Sequence, residues 1–312
     1  MPRPVTEPAI GFGDRLAQAV ARSQSQVLLG LDPDPARLLP DALGSVEGGD
    51  LHTAAERAAA AVRAHCVALV EAVAPACVGV KLQLACFERL GAPGWAALAD
   101  VAGQARAAGL LVLADAKRGD VPHTASAYAQ ALLGATETPW GPVEGLGADA
   151  VTANPLLGQD SLEPIVTAAR GRGAGVFVLV RTSNPGAAEL QDDAPAGGQP
   201  LRERLAAIVA GLGRDAVGDA GLSDVGAVVA ATEPALMEDL RARMPHAVFL
   251  LPGIGAQGGR AEDAAPAFAG RRAAALVTAS RSIADAALEA GSAAAALPAA
   301  ERLREIAWAI SA

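Results

Sequence analysis

Lysine is almost missing from this 312-residue chain: 23 of its 25 basic residues are arginine, and only Lys81 and Lys117 remain. A sequence that uses Arg wherever a generic positive charge will serve keeps Lys for tasks Arg cannot do, such as donating a proton or acting as a compact point charge. Cysteine is also scarce. Cys66, Cys77 and Cys86 make an odd set with no C-x-x-C pair, which argues against a disulfide framework or a zinc site and fits a reducing, cytoplasmic compartment. Positive charge is outweighed, with a formal net charge of −9, so a general nucleic-acid binder is not expected. The first twelve residues hold prolines and a Glu but no apolar core of a signal peptide. Ala-rich stretches such as 54–73 carry Glu56, Arg57, Arg63 and Glu71, and none offers the ~18 uncharged apolar residues of a membrane span. Aromatics are 3% of the chain, and Trp95, Trp140 and Trp308 read as packing residues.

What is present is a repeated alternation. Eight short apolar runs occur at 27–31, 77–82, 110–114, 148–152, 176–180, 226–230, 248–251 and 274–278. They are largely uncharged and rich in Val, Leu and Ala, as parallel strands buried on both faces should be. Amphipathic stretches lie between them, for example 54–73, 94–108, 201–217 and 233–244, while the stretch after the fourth run, 162–170, offers only a short helix. Eight alternating units predict an α/β fold of the (β/α)8 (TIM) barrel type, in one domain over residues 1–312. Three Gly- and Pro-rich insertions interrupt it near 38–51, 136–147 and 186–200, and the last could form a lid.

In such a barrel the chemistry sits at the C-terminal ends of the strands. Read in order, those ends carry Asp32, Lys81, Asp115 with Lys117, Asn154, Ser183 with Asn184, Gln257 and Arg281. The densest cluster is Asp115-Ala-Lys117-Arg-Gly-Asp120. In extended chain, residues 115 and 117 would share a face ~6–7 Å apart. Two carboxylates flanking one amine would keep all three ionised. Gly253-Ile-Gly-Ala-Gln-Gly258 matches a dinucleotide-binding pattern, but the next run ends in Thr-Ala-Ser-Arg, where that fold wants an acidic residue. A phosphate site built by the loops after strands seven and eight, with Arg281, fits better. His52, His65 and His246 have no metal-ligand spacing and read as structural, and His123 lies near the cluster.

The stretch from Asp115 to Val121 resembles the signature of the orotidine 5′-phosphate decarboxylases. Gly30-Leu-Asp32-Pro, Val80-Lys81, Arg181-Thr-Ser183-Asn-Pro-Gly, the Gly-rich segment to Gln257 and Ser280-Arg281-Ser-Ile follow in that family's order. Length and the Asn154-Pro-Leu-Leu-Gly segment resemble its longer bacterial (type 2) subgroup. The resemblance implies a cofactor-free, metal-free decarboxylase of orotidine monophosphate. Lys117 would protonate C6, Asp115 would face the substrate carboxylate, and Lys81 and Asp32 would join the charge network at the ribose. Ser183 would contact the pyrimidine, and Gln257 and Arg281 the phosphate. Asp120 and Thr124 would reach the ribose from the partner subunit of a homodimer. Ser280 stands where many members carry Gly. The closest rivals are related sugar-phosphate enzymes that share the Asp-x-Lys-x-x-Asp array but place an acidic residue at the end of strand two and use Mg2+; here that end is Lys81. A nucleotide-phosphate sensor on a barrel that has lost its chemistry would not need the intact charged array.

Overall fold

In the computed structural model, residues 10–47, 51–254 and 258–312 are described. Eight strands close into a parallel barrel: β1 (Val27–Leu31), β2 (Gly79–Gln83), β3 (Leu111–Arg118), β4 (Ala150–Ala153), β5 (Gly175–Arg181), β6 (Val225–Val229), β7 (Phe249–Leu251) and β8 (Ala275–Ala279). Each pairs with its successor, and β8 returns to β1. The eight apolar runs become the eight strands with end shifts of a few residues.

Side chains alternate along each strand, and the two sets enter different cores. Outward residues such as Val80, Leu82, Val112, Val151 and Val178 pack under the surrounding helices. The inward set forms a separate cluster that includes Leu28, Leu113, Ala150, Phe177, Val228, Leu250 and Leu276. Its floor is the helix Phe12–Ser23, whose Phe12, Leu16 and Val20 plug the N-terminal mouth. Phe12 meets Phe177 edge-on at 5.9 Å. Gly226 leaves room for this layer: a Cβ there would lie 2.5 Å from the Val248 carbonyl oxygen and 2.7 Å from the Phe177 ring. Gly226→Ala is therefore expected to cost ~1–3 kcal/mol through overpacking, read as a lowered Tm; an unchanged Tm would contradict this packing.

The three insertions are more ordered than their composition suggests. Within 38–51, Leu38, Leu39 and Ala42 are buried, and Pro40–Gly44 forms a short helix. Thr53 and Glu56 then cap the helix Ala54–Val73 reciprocally. The segment near 136–147 contains a small antiparallel pair, Ala135–Thr136 with Val143–Glu144. Trp140 on its turn is 92% exposed, so the expectation that it packs is wrong, whereas Trp308 stacks against the Arg272 guanidinium. In 186–200, Ala187–Gln191 is helical. The helix after β4 runs Gln159–Gly171, longer than expected. Pro164 lies inside it, and the carbonyl left without an N–H partner belongs to Asp160 in the exposed first turn.

Two buried polar groups tie these parts together. The Arg241 guanidinium donates to the carbonyls of Met244, Ala247, Ala267 and Ala274 and lies 3.7 Å from the Phe249 ring centroid. Burial, with Arg271 nearby, lowers its pKa to about 9. His65 accepts a hydrogen bond at Nδ1 from the Leu39 N–H, fastening the 38–51 segment to the helix 54–73. Burial lowers the His65 pKa to about 4. The unfolded imidazole takes up its proton near pH 6.5 and the folded one only near pH 4, so acid favours unfolding across that window. Stability is expected to fall by about 2 kcal/mol between pH 7 and pH 5 from this group. Denaturant titrations at the two pH values check it, and an equal loss in His65→Asn would contradict it.

Candidate active site

The inward rows change character toward the C-terminal rim. Leu28 is followed two and four residues on by Gly30 and Asp32, Gly79 by Lys81 and Gln83, Leu113 by Asp115 and Lys117, and Leu276 by Thr278 and Ser280. The apolar barrel layer is thus topped by a polar one, which opens into a cavity of about 470 Å³. Asp32, Lys81, Asp115, Lys117, Ser183 and Arg281 all line it. The sequence-predicted set therefore converges on one site, with three exceptions. Gln257 lies outside the described residues. Asp120 and Thr124 sit beyond β3, at the loop and first turn of the helix Pro122–Leu132, and do not line this chain's own cavity.

The centre of the site is a line of alternating charge. Lys81 Nζ lies 3.3 Å from Asp32 Oδ1 and 2.8 Å from Asp115 Oδ2, and Lys117 Nζ lies 2.6 Å from Asp115 Oδ1. Asp115 accepts two further hydrogen bonds, from Gln83 Nε2 at 3.1 Å and Thr152 Oγ1 at 2.8 Å. Its side chain is 7% exposed. Burial alone would raise its pKa, but the ammonium groups of Lys81 and Lys117 outweigh burial and hold the carboxyl well below the usual carboxylate range. Burial likewise pulls the Lys81 pKa down, and Asp115 and Asp32 reverse it, leaving the ammonium more firmly protonated than in water. Both members of the buried pair are therefore charged at neutral pH.

Two expectations about the signature need correction. The cluster was expected to be two carboxylates around one amine. Instead one carboxylate, Asp115, sits between two amines, and Asp120 contacts neither; its Oδ1 accepts from the Val121 N–H. The backbone is also not extended at Lys117, whose φ of 48° is left-handed. The pairing of β3 with β4 slips between Ala114 and Arg118 to accommodate it. The ammonium still returns to Asp115. Gly119 follows, packed so closely on β4 that a Cβ would lie 2.6 Å from the Asn154 carbonyl oxygen. Asn154 itself closes a turn, its Oδ1 accepting from the Leu156 N–H, and is not among the cavity residues.

The opposite wall is apolar, built by Leu179, Val228, Leu250 and Ile254. Arg281 begins the helix Arg281–Ala290 directly after β8, where free N–H groups also favour an anion. A loop after β5 carries Thr182, Ser183 and Asn184 to the cavity. Arg181, buried, anchors that loop by a two-pronged contact with Asp192 (both 3.0 Å) and a 3.0 Å contact with Glu233. Gln191 comes back over the cavity and accepts from the Thr182 N–H at 2.7 Å. Gln83, Thr152 and Gln191 are site residues that the sequence reading missed. Gln83 was signalled by its position two residues beyond Lys81, on the same face of the strand.

A family model described as "Orotidine 5′-phosphate decarboxylase / HUMPS family" matches residues 25–297. An orotidine 5′-phosphate decarboxylase of Rhodopirellula baltica is 41% identical over 275 residues, 87% of this chain and 87% of its own length. The enzyme of the same name from Deinococcus radiodurans is 46% identical over 228 residues, 73% of this chain and 78% of its own. The solved structure of Leishmania donovani OMP decarboxylase superposes with a TM-score of 0.71 at 32% identity, covering 97% of this chain and 99% of that one. With its charged rim, closed barrel and this degree of likeness, the chain belongs to the orotidine 5′-phosphate decarboxylase / HUMPS family.

Proposed function

We propose that the chain decarboxylates orotidine 5′-monophosphate to UMP and CO2, closing de novo pyrimidine nucleotide synthesis without a metal or organic cofactor. The observation that carries this reading is the fixed Asp32–Lys81–Asp115–Lys117 line, buried at its centre and facing an apolar wall across the cavity.

Breaking the bond between C6 and the carboxyl carbon leaves an electron pair on an sp2 carbon with little delocalisation. The barrier must then fall through prearranged charge and position. Asp115, held ionised, faces the substrate carboxylate and repels it by ~4 kcal/mol at 4 Å and an effective dielectric of 20. That repulsion vanishes as neutral CO2 leaves. The Lys117 ammonium stabilises the charge growing on C6 and then transfers a proton to it, giving UMP. Its side chain is 43% exposed, which lets solvent return the proton. Lys81 and Asp32 bind the ribose, Ser183 the pyrimidine, and Arg281 with Gln257 the phosphate, whose binding energy offsets the repulsion at the other end.

The site is completed by a second copy of the chain, which supplies Asp120 and Thr124. The position of both residues just outside their own cavity supports this, as does the exposed apolar surface beside them. Val121 is 54% exposed, and Leu156 and Leu157, which follow β4, are 66% and 48% exposed. No helix among the described residues is long and apolar enough to cross a membrane, and Cys66, Cys77 and Cys86 are unpaired thiols, which supports a cytoplasmic setting.

The family's other branch, the sugar-phosphate enzymes, is disfavoured by Lys81. Its ammonium occupies both neighbouring carboxylates and would repel a divalent cation between them. The test is the absorbance of orotidine monophosphate followed with chelator and no added cofactor. Steady loss of substrate is expected. No loss, or loss abolished by EDTA, would overturn the reading.

A further inference from the structure

We infer that Thr152 is a positioning residue that holds Lys117 at both ends. It stands on β4, 1% exposed, and does not line the cavity. Its hydroxyl is used twice. Oγ1 accepts from the Lys117 backbone N–H at 2.9 Å and donates to Asp115 Oδ1 at 2.8 Å. The same Oδ1 receives the Lys117 ammonium at 2.6 Å. A closed ring results, running from the Lys117 backbone through Thr152 and Asp115 to the Lys117 ammonium.

Two features make this ring consequential. Lys117 has a left-handed φ of 48°, a conformation that a residue with a Cβ adopts only when its surroundings impose it. The Thr152 hydroxyl is the acceptor for the Lys117 N–H, in the stretch where the β3–β4 ladder slips and ordinary strand pairing is interrupted. Second, a lysine side chain has four rotatable bonds, and fixing its backbone and its ammonium together narrows where the proton can be delivered. Threonine suits the task because β-branching restricts χ1 and so limits where its hydroxyl can point. Valine fills nearly the same space with no hydroxyl, so Thr152→Val removes the ring and little else.

The inference rests on the reading of Lys117 as proton donor, so Lys117→Ala is measured in parallel. Thr152→Val is expected to lower kcat on orotidine monophosphate roughly 10- to 100-fold, because misplaced reacting groups and a lost hydrogen bond to a charged group each cost about that much. The UMP dissociation constant, which does not involve proton delivery, should stay within about threefold. Thr152→Ser restores the hydroxyl and should recover most of the loss. Thr152→Ala provides a second protein without the hydroxyl, should the valine variant not fold, and should resemble it. A merely structural role would lower the Tm and the folded fraction without separating kcat from UMP binding. Hydroxyl-free variants with wild-type kcat beside an inactive Lys117→Ala would overturn this inference alone. Wild-type turnover by Lys117→Ala would instead overturn the reading of the site. Equal losses in the serine and valine proteins would show that the hydroxyl is not what matters.

Discussion

Replacing Lys117 with alanine is expected to lower kcat by at least about 10³-fold, since on the proposed mechanism it removes both the proton donor and the positive charge beside the developing carbanion. UMP should still bind with a measurable dissociation constant, because the cavity keeps Arg281, Ser183 and its apolar wall. The fold should tolerate the change. The Lys117 side chain is 43% exposed, and the Asp115 carboxylate keeps Lys81, Gln83 and Thr152 as partners. Lys81 provides the contrast. Its side chain is 9% exposed and links two carboxylates, so Lys81→Ala should cost stability as well as turnover. Steady-state kinetics with UMP titration and a melting curve separate the two cases. A Lys117→Ala protein with wild-type turnover would remove the proposed mechanism.

The second large effect is a gain. Lys117→Ala and Asp120→Ala proteins, each inactive alone, should recover activity when mixed under subunit exchange. A heterodimer would hold one site with both defects and one with neither. Random exchange at equal concentrations makes about half the dimers mixed, so about a quarter of wild-type activity should return. The expectation follows from geometry. Asp120 leads from β3 into the helix Pro122–Leu132, and among the described residues its carboxylate is engaged only with the Val121 N–H. On the proposed reading it serves a neighbouring copy. Mixtures that stay inactive while exchange is demonstrated would refute a shared site.

The barrel was legible because strands buried on both faces are largely apolar along their length, and eight such runs separated by helical stretches have few other solutions. The charged rim was legible for a related reason. A polar side chain directly after an apolar run stands out, and Asp32, Lys81, Asp115, Lys117, Ser183 and Arg281 do line one cavity. Thr152 was hidden by the same logic. Threonine is an ordinary strand residue, and its run reads as one more buried strand. Asn154, more conspicuous in the sequence, closes a turn instead. The left-handed backbone at Lys117 has no local signal, because lysine does not favour it; it falls where the β3–β4 pairing slips and where Thr152 takes the Lys117 N–H. The insertions hold structure that their Gly and Pro content does not signal. Near 38–51, Leu38 and Leu39 are core residues, and beside 136–147 the stretch 135–144 closes as a hairpin.

The view that prearranged charge, rather than a bound cofactor, drives this reaction is most directly tested by Asp115→Asn. The amide preserves shape and removes one charge from the centre of the line, where the carboxylate now takes four donors. Turnover of orotidine monophosphate at saturation should fall at least about 100-fold, with UMP, which has no carboxylate to repel, bound within a few-fold of wild type. An asparagine protein that turns over substrate at the wild-type rate would contradict the account.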